Sequence, residues 1–311
     1  MLNYTLLLHG YRSPGAGLPG ALVRDLLDAV DRGAKGAVRL RLEGRSSAKG
    51  GFPPAWVSTA ANFQMAGFHE GTPGVELRIP TLGEALPHKF AQEELFPSVD
   101  PASSALSLMG RGLADAQAGD GDSDAYDSPL LRTFGEFREV FRHGVEAVEL
   151  HNGRPDSIPV MITPAGLAAA ERLQKQTPRP QRVRVAGKVD AIRHSDRAFT
   201  LVLESGEVIR GILAERDPDE LAPHFGRATV VGGMAQFRPS GSLLRIDADL
   251  LEPADEQDLS MWSEAPRPLF GGSSDGEVRR QGSRSGINAV IGTWPGEESE
   301  DEIFAMLEEI S

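Results

Sequence analysis

The sequence predicts an α+β domain followed by a small five-stranded barrel and an acidic tail. Three observations carry this. Apolar spacing switches repeatedly between helical and strand periods over residues 1–176. Between 182 and 252 five alternating segments follow one another with one helical stretch after the third. Residues 253–311 hold 13 acidic against 4 basic side chains, a net of −9, whereas 1–180 (18 basic, 21 acidic) net −3 and 181–252 (10 basic, 11 acidic) net −1.

The first domain opens on a strand-like run, Tyr4 to Leu8, and a turn at 13–17. Leu18, Leu22, Leu26, Leu27, Val30 and Ala34 then mark one face of an amphipathic helix. After a Gly/Ser/Pro loop at 44–54, residues 60–65 alternate loosely, and Val75, Leu77 and Ile79 alternate with Glu76 and Arg78, so both read as half-buried strands. Residues 97–128 hold few large apolar side chains, several Gly and Ser, and the run Asp120, Asp122, Asp124; they read as a flexible, solvated insertion. Helical spacing resumes at Leu130, Leu131, Phe134, Phe137, Val140 and Phe141, strands follow at 145–150 and 159–163, and a helix begins at Pro164, where the missing N–H is harmless. One layer of helices on a small sheet results, ending at a Pro-rich linker, 177–181.

The barrel, 182–252, comprises Val183 to Val189, Phe199 to Leu203, a Ser205-Gly206 turn, Val208 to Ile212, a helix at Pro218 to Phe225, then Ala228 to Phe237 and Leu243 to Leu250 across Pro239-Ser-Gly241. Three strands, a helix and two strands is the order of an OB-like barrel, and Gly187 suits the coiling its first strand needs. Beyond it, 253–298 read as a flexible, disordered linker rich in Pro, Gly and Ser. The last segment, 299–311, reads as an amphipathic docking helix. Ser299 and Glu302 match a capping box, and Ile303, Phe304, Met306, Leu307 and Ile310 share one face. So short a helix is marginal alone and needs a groove. Glu308 and Glu309 sit at the unfavourable end of its dipole, which favours a basic partner surface.

Several chemistries are excluded or unsupported. With no cysteine there is no disulfide, thiol nucleophile or Cys-ligated metal. The net charge of −13 disfavours a sequence-independent grip on nucleic acid. No span is apolar enough for a membrane, and the start lacks a signal-peptide pattern, so the expected location is the cytoplasm. The string Leu6 to Gly10 is like a hydrolase oxyanion strand, but Gly282-Ser-Arg-Ser-Gly286 puts Arg284 at the nucleophile position. Gly44 to Lys49 lacks the second glycine of a Walker loop. Asp120, Asp122 and Asp124 imitate a calcium loop, yet Ala125 and Leu131 replace its Gly and Glu. The histidines at 9, 69, 88, 143, 151, 194 and 224 show no ligand spacing and read as scattered surface or capping residues. No catalytic residue, metal or cofactor is therefore expected, and the protein reads as a non-enzyme.

The closing residues, Gly292-Thr-Trp294-Pro-Gly-Glu-Glu-Ser-Glu-Asp-Glu302-Ile-Phe-Ala-Met-Leu307-Glu-Glu-Ile-Ser311, resemble the tails of bacterial antitoxin-type partners of PIN-domain toxins, which similarly read Pro-Gly-(Asp/Glu)-Glu-(Ser/Thr) and end Leu-Glu-x-(Leu/Ile)-Ser. The resemblance covers about 20 residues. It implies a tail that wraps a partner nuclease, its helix filling a groove, Trp294 anchoring, and Arg279, Arg280 or Arg284 reaching an acidic metal site. The expected function is partner binding by an antitoxin or regulatory subunit. The alternative is nucleic-acid binding by the barrel through Arg182, Arg184, Lys188, Arg193 and Arg197, with Phe199, Phe225 and Phe237 expected in the core.

Overall fold

The computed structural model describes residues 1–12, 17–47, 54–69, 71–90, 99–153, 158–193, 197–213 and 217–269, all within one compact unit, Met1–Ser273. Its secondary structure is β1 (Leu2–His9), α1 (Gly20–Glu43), α2 (Ala55–Ala60), β2 (Gln64–Phe68), β3 (Gly74–Ile79), α3 (Leu82–Ala85), α4 (Ala105–Ala118), α5 (Ser128–Phe134), α6 (Arg138–Phe141), β4 (Ala147–Asn152), β5 (Val160–Ile162), α7 (Pro164–Gln176), β6 (Gln181–Arg193), β7 (Ala198–Val202), β8 (Val208–Leu213), β9 (Ala228–Phe237), β10 (Leu243–Pro253) and α8 (Glu256–Met261).

The first five strands form an antiparallel sheet in the order β2-β3-β1-β4-β5. Tyr4, Leu6 and Leu8 of β1, Val75, Leu77 and Ile79 of β3, and Val148 and Leu150 of β4 point to one face and are buried in one core with the apolar residues of α1, α4 and α5. The opposite face carries Thr5, His9, Glu76, Arg78, Glu149 and His151, the alternation expected of a one-sided sheet. Three of the helices begin where a side chain accepts an orphan amide: Thr163 caps α7 through the Gly166 N–H, and Ser104 and Asp127 cap α4 and α5.

Three expectations are corrected in this part. Residues 105–118, within the stretch read as a flexible insertion, form α4, whose Leu106, Met109, Leu113 and Ala116 are fully buried at the centre of the core. Small residues explain the misreading. Gly110 lies against Leu150 and Val160, and a Cβ on Gly112 would come 2.8 Å from the Ala125 carbonyl oxygen, so the helix packs through glycine where large side chains would not fit. The loosely alternating 60–65 is divided between the end of α2 and the start of the edge strand β2. The helical run 130–141 is broken into α5, one 3-10 turn at Gly135–Phe137, and α6.

Beyond Thr177–Pro180, β6 to β10 close a five-stranded barrel in the order β10-β8-β7-β6-β9. All its pairings are antiparallel except β8 with β10, which run parallel. Val185, Val189, Leu201, Leu213, Val231 and Ile246 fill it, and a 3-10 helix, Pro218–His224, closes one end by inserting the fully buried Leu221. Gly187 permits close strand approach: a Cβ there would lie 2.6 Å from the Val202 carbonyl oxygen.

Residues 254–269 correct a fourth expectation, since the flexible linker was expected from 253. Asp255 and Asp258 make a reciprocal capping box on α8, Ala254 N–H donates to Ala228 O, and Ala186 N–H donates to Trp262 O at 2.8 Å. The strap then reaches the other end of β6, where Leu269 N–H donates to Gln181 Oε1.

Candidate functional site

The tail residues expected to bind a partner, Arg279, Arg280, Arg284, Trp294, Ile303, Phe304, Met306, Leu307 and Ile310, lie outside the described residues. The last described residue, Leu269, is 80% exposed beside Gln181, with Pro268 near Gly241 of the β9–β10 loop. Leu269 therefore lies at the end of the barrel that adjoins the sheet domain.

The five basic residues expected to form a nucleic-acid surface do not form one cluster. Arg182, Arg184 and Lys188 share the outer face of β6. Arg182 is engaged in a bidentate pair with Asp249, at 2.7 and 3.0 Å, which raises its pKa through hydrogen bonding and charge. The irregularity between Val189 and Ala191 then turns the strand, so that Arg193 lies opposite Ala198 at the far end. Arg197 takes a positive φ of 57° in the connection to β7. Of the three phenylalanines, Phe199 and Phe237 are in the core as expected, but Phe225 is 60% exposed. It follows the 3-10 plug, and Leu221 fills the place a core phenylalanine would take.

The densest polar assembly lies where the barrel meets the sheet domain. The acidic loop between α4 and α5, expected to be solvated, is central to it. Asp122 Oδ1 accepts from Ser240 Oγ at 2.5 Å and Ser242 Oγ at 3.0 Å, and Gly121 O accepts from Ser240 N–H. These hydroxyls, with the charge of Arg238, hold the Asp122 carboxyl below the usual carboxylate range. Burial works to raise the pKa of Asp124, and the guanidiniums of Arg41, Arg111 and Arg210 overcome it and lower it; Arg41 and Arg111 donate to this carboxylate at 3.0 and 3.2 Å. Asp127 caps α5 through the Leu130 N–H, accepts from the N–H and hydroxyl of Ser46, and lies 3.6 Å from Arg245 Nη1. Arg245, buried on β10, donates through Nε to Asp247 at 2.8 Å. Behind these groups Ile212 of β8 packs on Gly44, the left-handed C-cap of α1. Tyr126, buried between them, donates to Asp120 O, and burial together with the surrounding carboxylates raises its pKa.

Sequence reading missed Arg210, Arg238, Arg245, Ser240 and Ser242 because their partners are more than 75 positions away in the chain. The one available signal was the crowding of four Asp between 120 and 127 without the geometry of a cation loop.

The histidines are dispersed. His9 meets Glu149 at 2.7 Å on the open sheet face, His143 meets Asp25 at 2.8 Å, and His224 Nδ1 lies 3.2 Å from the buried Thr229 hydroxyl. The bond to His143 is the largest influence lowering the pKa of Asp25, ahead of that from Arg24. Among the described residues no group of three or more His, Asp or Glu could hold a metal ion, and no helix is long and apolar enough to cross a membrane.

These features define a sheet domain and a closed barrel joined by a charged seam that is buried at Tyr126, Asp127 and Arg245 and open at Asp122, Ser240 and Ser242. No family model matches the chain, and no curated protein or solved structure is detectably similar to it.

Proposed function

We propose that this protein is a non-enzymatic, cytoplasmic partner-binding protein, an antitoxin or regulatory subunit that holds a PIN-domain nuclease through its C-terminal tail. The observation that carries the reading is the tail sequence: a Ser299/Glu302 capping box, an apolar stripe from Ile303 to Ile310 and flanking acids, preceded by Trp294. Its context supports it. The last described residue before it, Leu269, is exposed. Binding would then couple to folding of the helix, with the ordering cost subtracted from affinity.

Within this reading the barrel is OB-like. Its support is the strand order, with the first strand paired to the second and fourth, the third parallel to the fifth, and a helical plug between the third and fourth.

Co-expression of the tagged chain with the PIN-domain protein encoded beside it tests the function. The full chain retains the nuclease through purification and a chain ending at residue 292 loses it. Equal recovery with both chains, or nuclease recovered with neither, overturns the proposal.

A further inference from the structure

The barrel side of the seam is an unusual surface. In the parallel pairing of β8 with β10, Ile246 lies opposite Gly211, and Arg245 and Arg210 each precede this first paired position by one residue, on the outward face of their strands. Two like charges in such a position repel, and the barrel's own Asp247 engages Arg245 only through Nε. Arg238, at the end of β9, adds a third guanidinium. Beside them sits the loop 120–127, with four carboxylates in eight residues, touching the barrel through Asp122 and Asp127 and lying close enough for Asp124 to feel the charge of the exposed Arg210.

The fit is incomplete. Among the described residues, the buried side-chain polar atoms without a hydrogen-bond partner are three guanidinium nitrogens: Arg45 Nε, Arg238 Nε and Arg245 Nη1. All three flank this seam, Arg45 because its neighbours Gly44 and Ser46 both face it. Arg245 is 7% exposed, and its Nη1 stands 3.6 Å from Asp127, near enough for attraction and too far for a hydrogen bond. A planar carboxylate on a short side chain leaves donors unused here. A phosphodiester backbone, with two free oxygens at every step, would supply the missing acceptors.

We infer that the Arg210/Arg238/Arg245 face of the barrel is a binding surface for single-stranded nucleic acid, and that the aspartate loop covers it in cis as an internal polyanion. Displacing the loop exposes the face; closing it returns the barrel to a silent state. The inference is independent of the tail's role, because it uses no residue beyond 269.

Fluorescence anisotropy with a labelled oligothymidylate and the full chain tests it. Asp122→Asn/Asp124→Asn weakens the cover while leaving the Asp127 cap in place, and it should bind roughly tenfold or more tighter than wild type. About 0.7 counterions are released per contacted phosphate on a single strand, so three arginines predict a log–log salt slope of about −2. Adding Arg210→Glu/Arg238→Glu should remove the gain. Should the aspartate variant melt early, Ser240→Ala/Ser242→Ala, which takes away only the hydroxyls holding Asp122, replaces it and should show a smaller gain of the same salt dependence. No gain in a folded variant, or a gain that survives the arginine reversal, overturns the inference. An equal gain for poly-glutamate of matched charge overturns the assignment to nucleic acid and points to acidic peptides.

Discussion

Asp127→Ala perturbs the seam at its most connected residue. The side chain is 5% exposed and serves three partners: the α5 amide of Leu130 at 3.1 Å, the N–H and hydroxyl of Ser46, and the Arg245 guanidinium at 3.6 Å. Loss of the cap alone costs about 1 kcal/mol. Depriving a buried cation of its partner costs about 3–5 kcal/mol when nothing else compensates it. Here Asp247 remains bonded to Arg245 at 2.8 Å, so roughly half of that applies. The orphaned Ser46 amide adds about 1 kcal/mol. The total expected is about 3–5 kcal/mol, against about 1 kcal/mol for Thr163→Ala, a cap of α7 that carries no seam contact in its hydrogen bonding. Urea titrations followed by far-UV circular dichroism and tryptophan fluorescence measure both. Arg245→Met completes a double-mutant cycle, with an expected coupling to Asp127 of at least about 1 kcal/mol. A loss in Asp127→Ala no larger than that of Thr163→Ala, with zero coupling to Arg245, refutes the claim that Asp127 and Arg245 attract each other across the seam.

Three further outcomes follow from the same geometry. The pKa values of Asp122 and Asp124 are depressed below the ordinary aspartate value, so the stability they contribute is fully present above that value and is lost as pH falls through their lower folded values. A melting series should therefore fall less steeply at low pH in Asp122→Asn/Asp124→Asn than in wild type. Leu221→Ala opens the barrel end that its fully buried side chain closes and should cost about 2–5 kcal/mol in urea denaturation. Gly112→Ala forces a methyl to 2.8 Å from the Ala125 carbonyl oxygen and 3.1 Å from the Phe134 ring, and should cost about 1–3 kcal/mol, whereas the same change at Gly135, which has open space around it, should cost under about 1 kcal/mol.

The barrel was largely legible in sequence because its first strand alternates over most of its length: Val183, Val185 and Val189 lie on one face while Arg182, Arg184 and Lys188 lie on the other. The start of α7 was equally plain from Pro164. Helix α4 was not, because its buried stripe is built from Ala105, Gly110, Gly112 and Ala116 as much as from Leu106, Met109 and Leu113, and small residues carry almost no hydropathy signal. The strap 254–269 was missed for a different reason: backbone hydrogen bonds at Ala186 and Ala228 and a carboxylate capping box hold it, and backbone bonds leave no mark in side-chain pattern. The acidic loop illustrates a third limit. Three aspartates at alternate positions look solvated until Arg41, Ser240 and Ser242, all distant in sequence, and Arg111 of the preceding helix are brought to them by folding.

Amide hydrogen exchange over residues 299–311, with and without the co-expressed PIN-domain nuclease, tests the proposed function most directly. The account predicts that Ile303, Phe304, Met306, Leu307 and Ile310 exchange freely in the protein alone and become protected in the complex. Protection already complete in the protein alone, unchanged by the nuclease, would contradict it and assign the helix to a groove on its own chain.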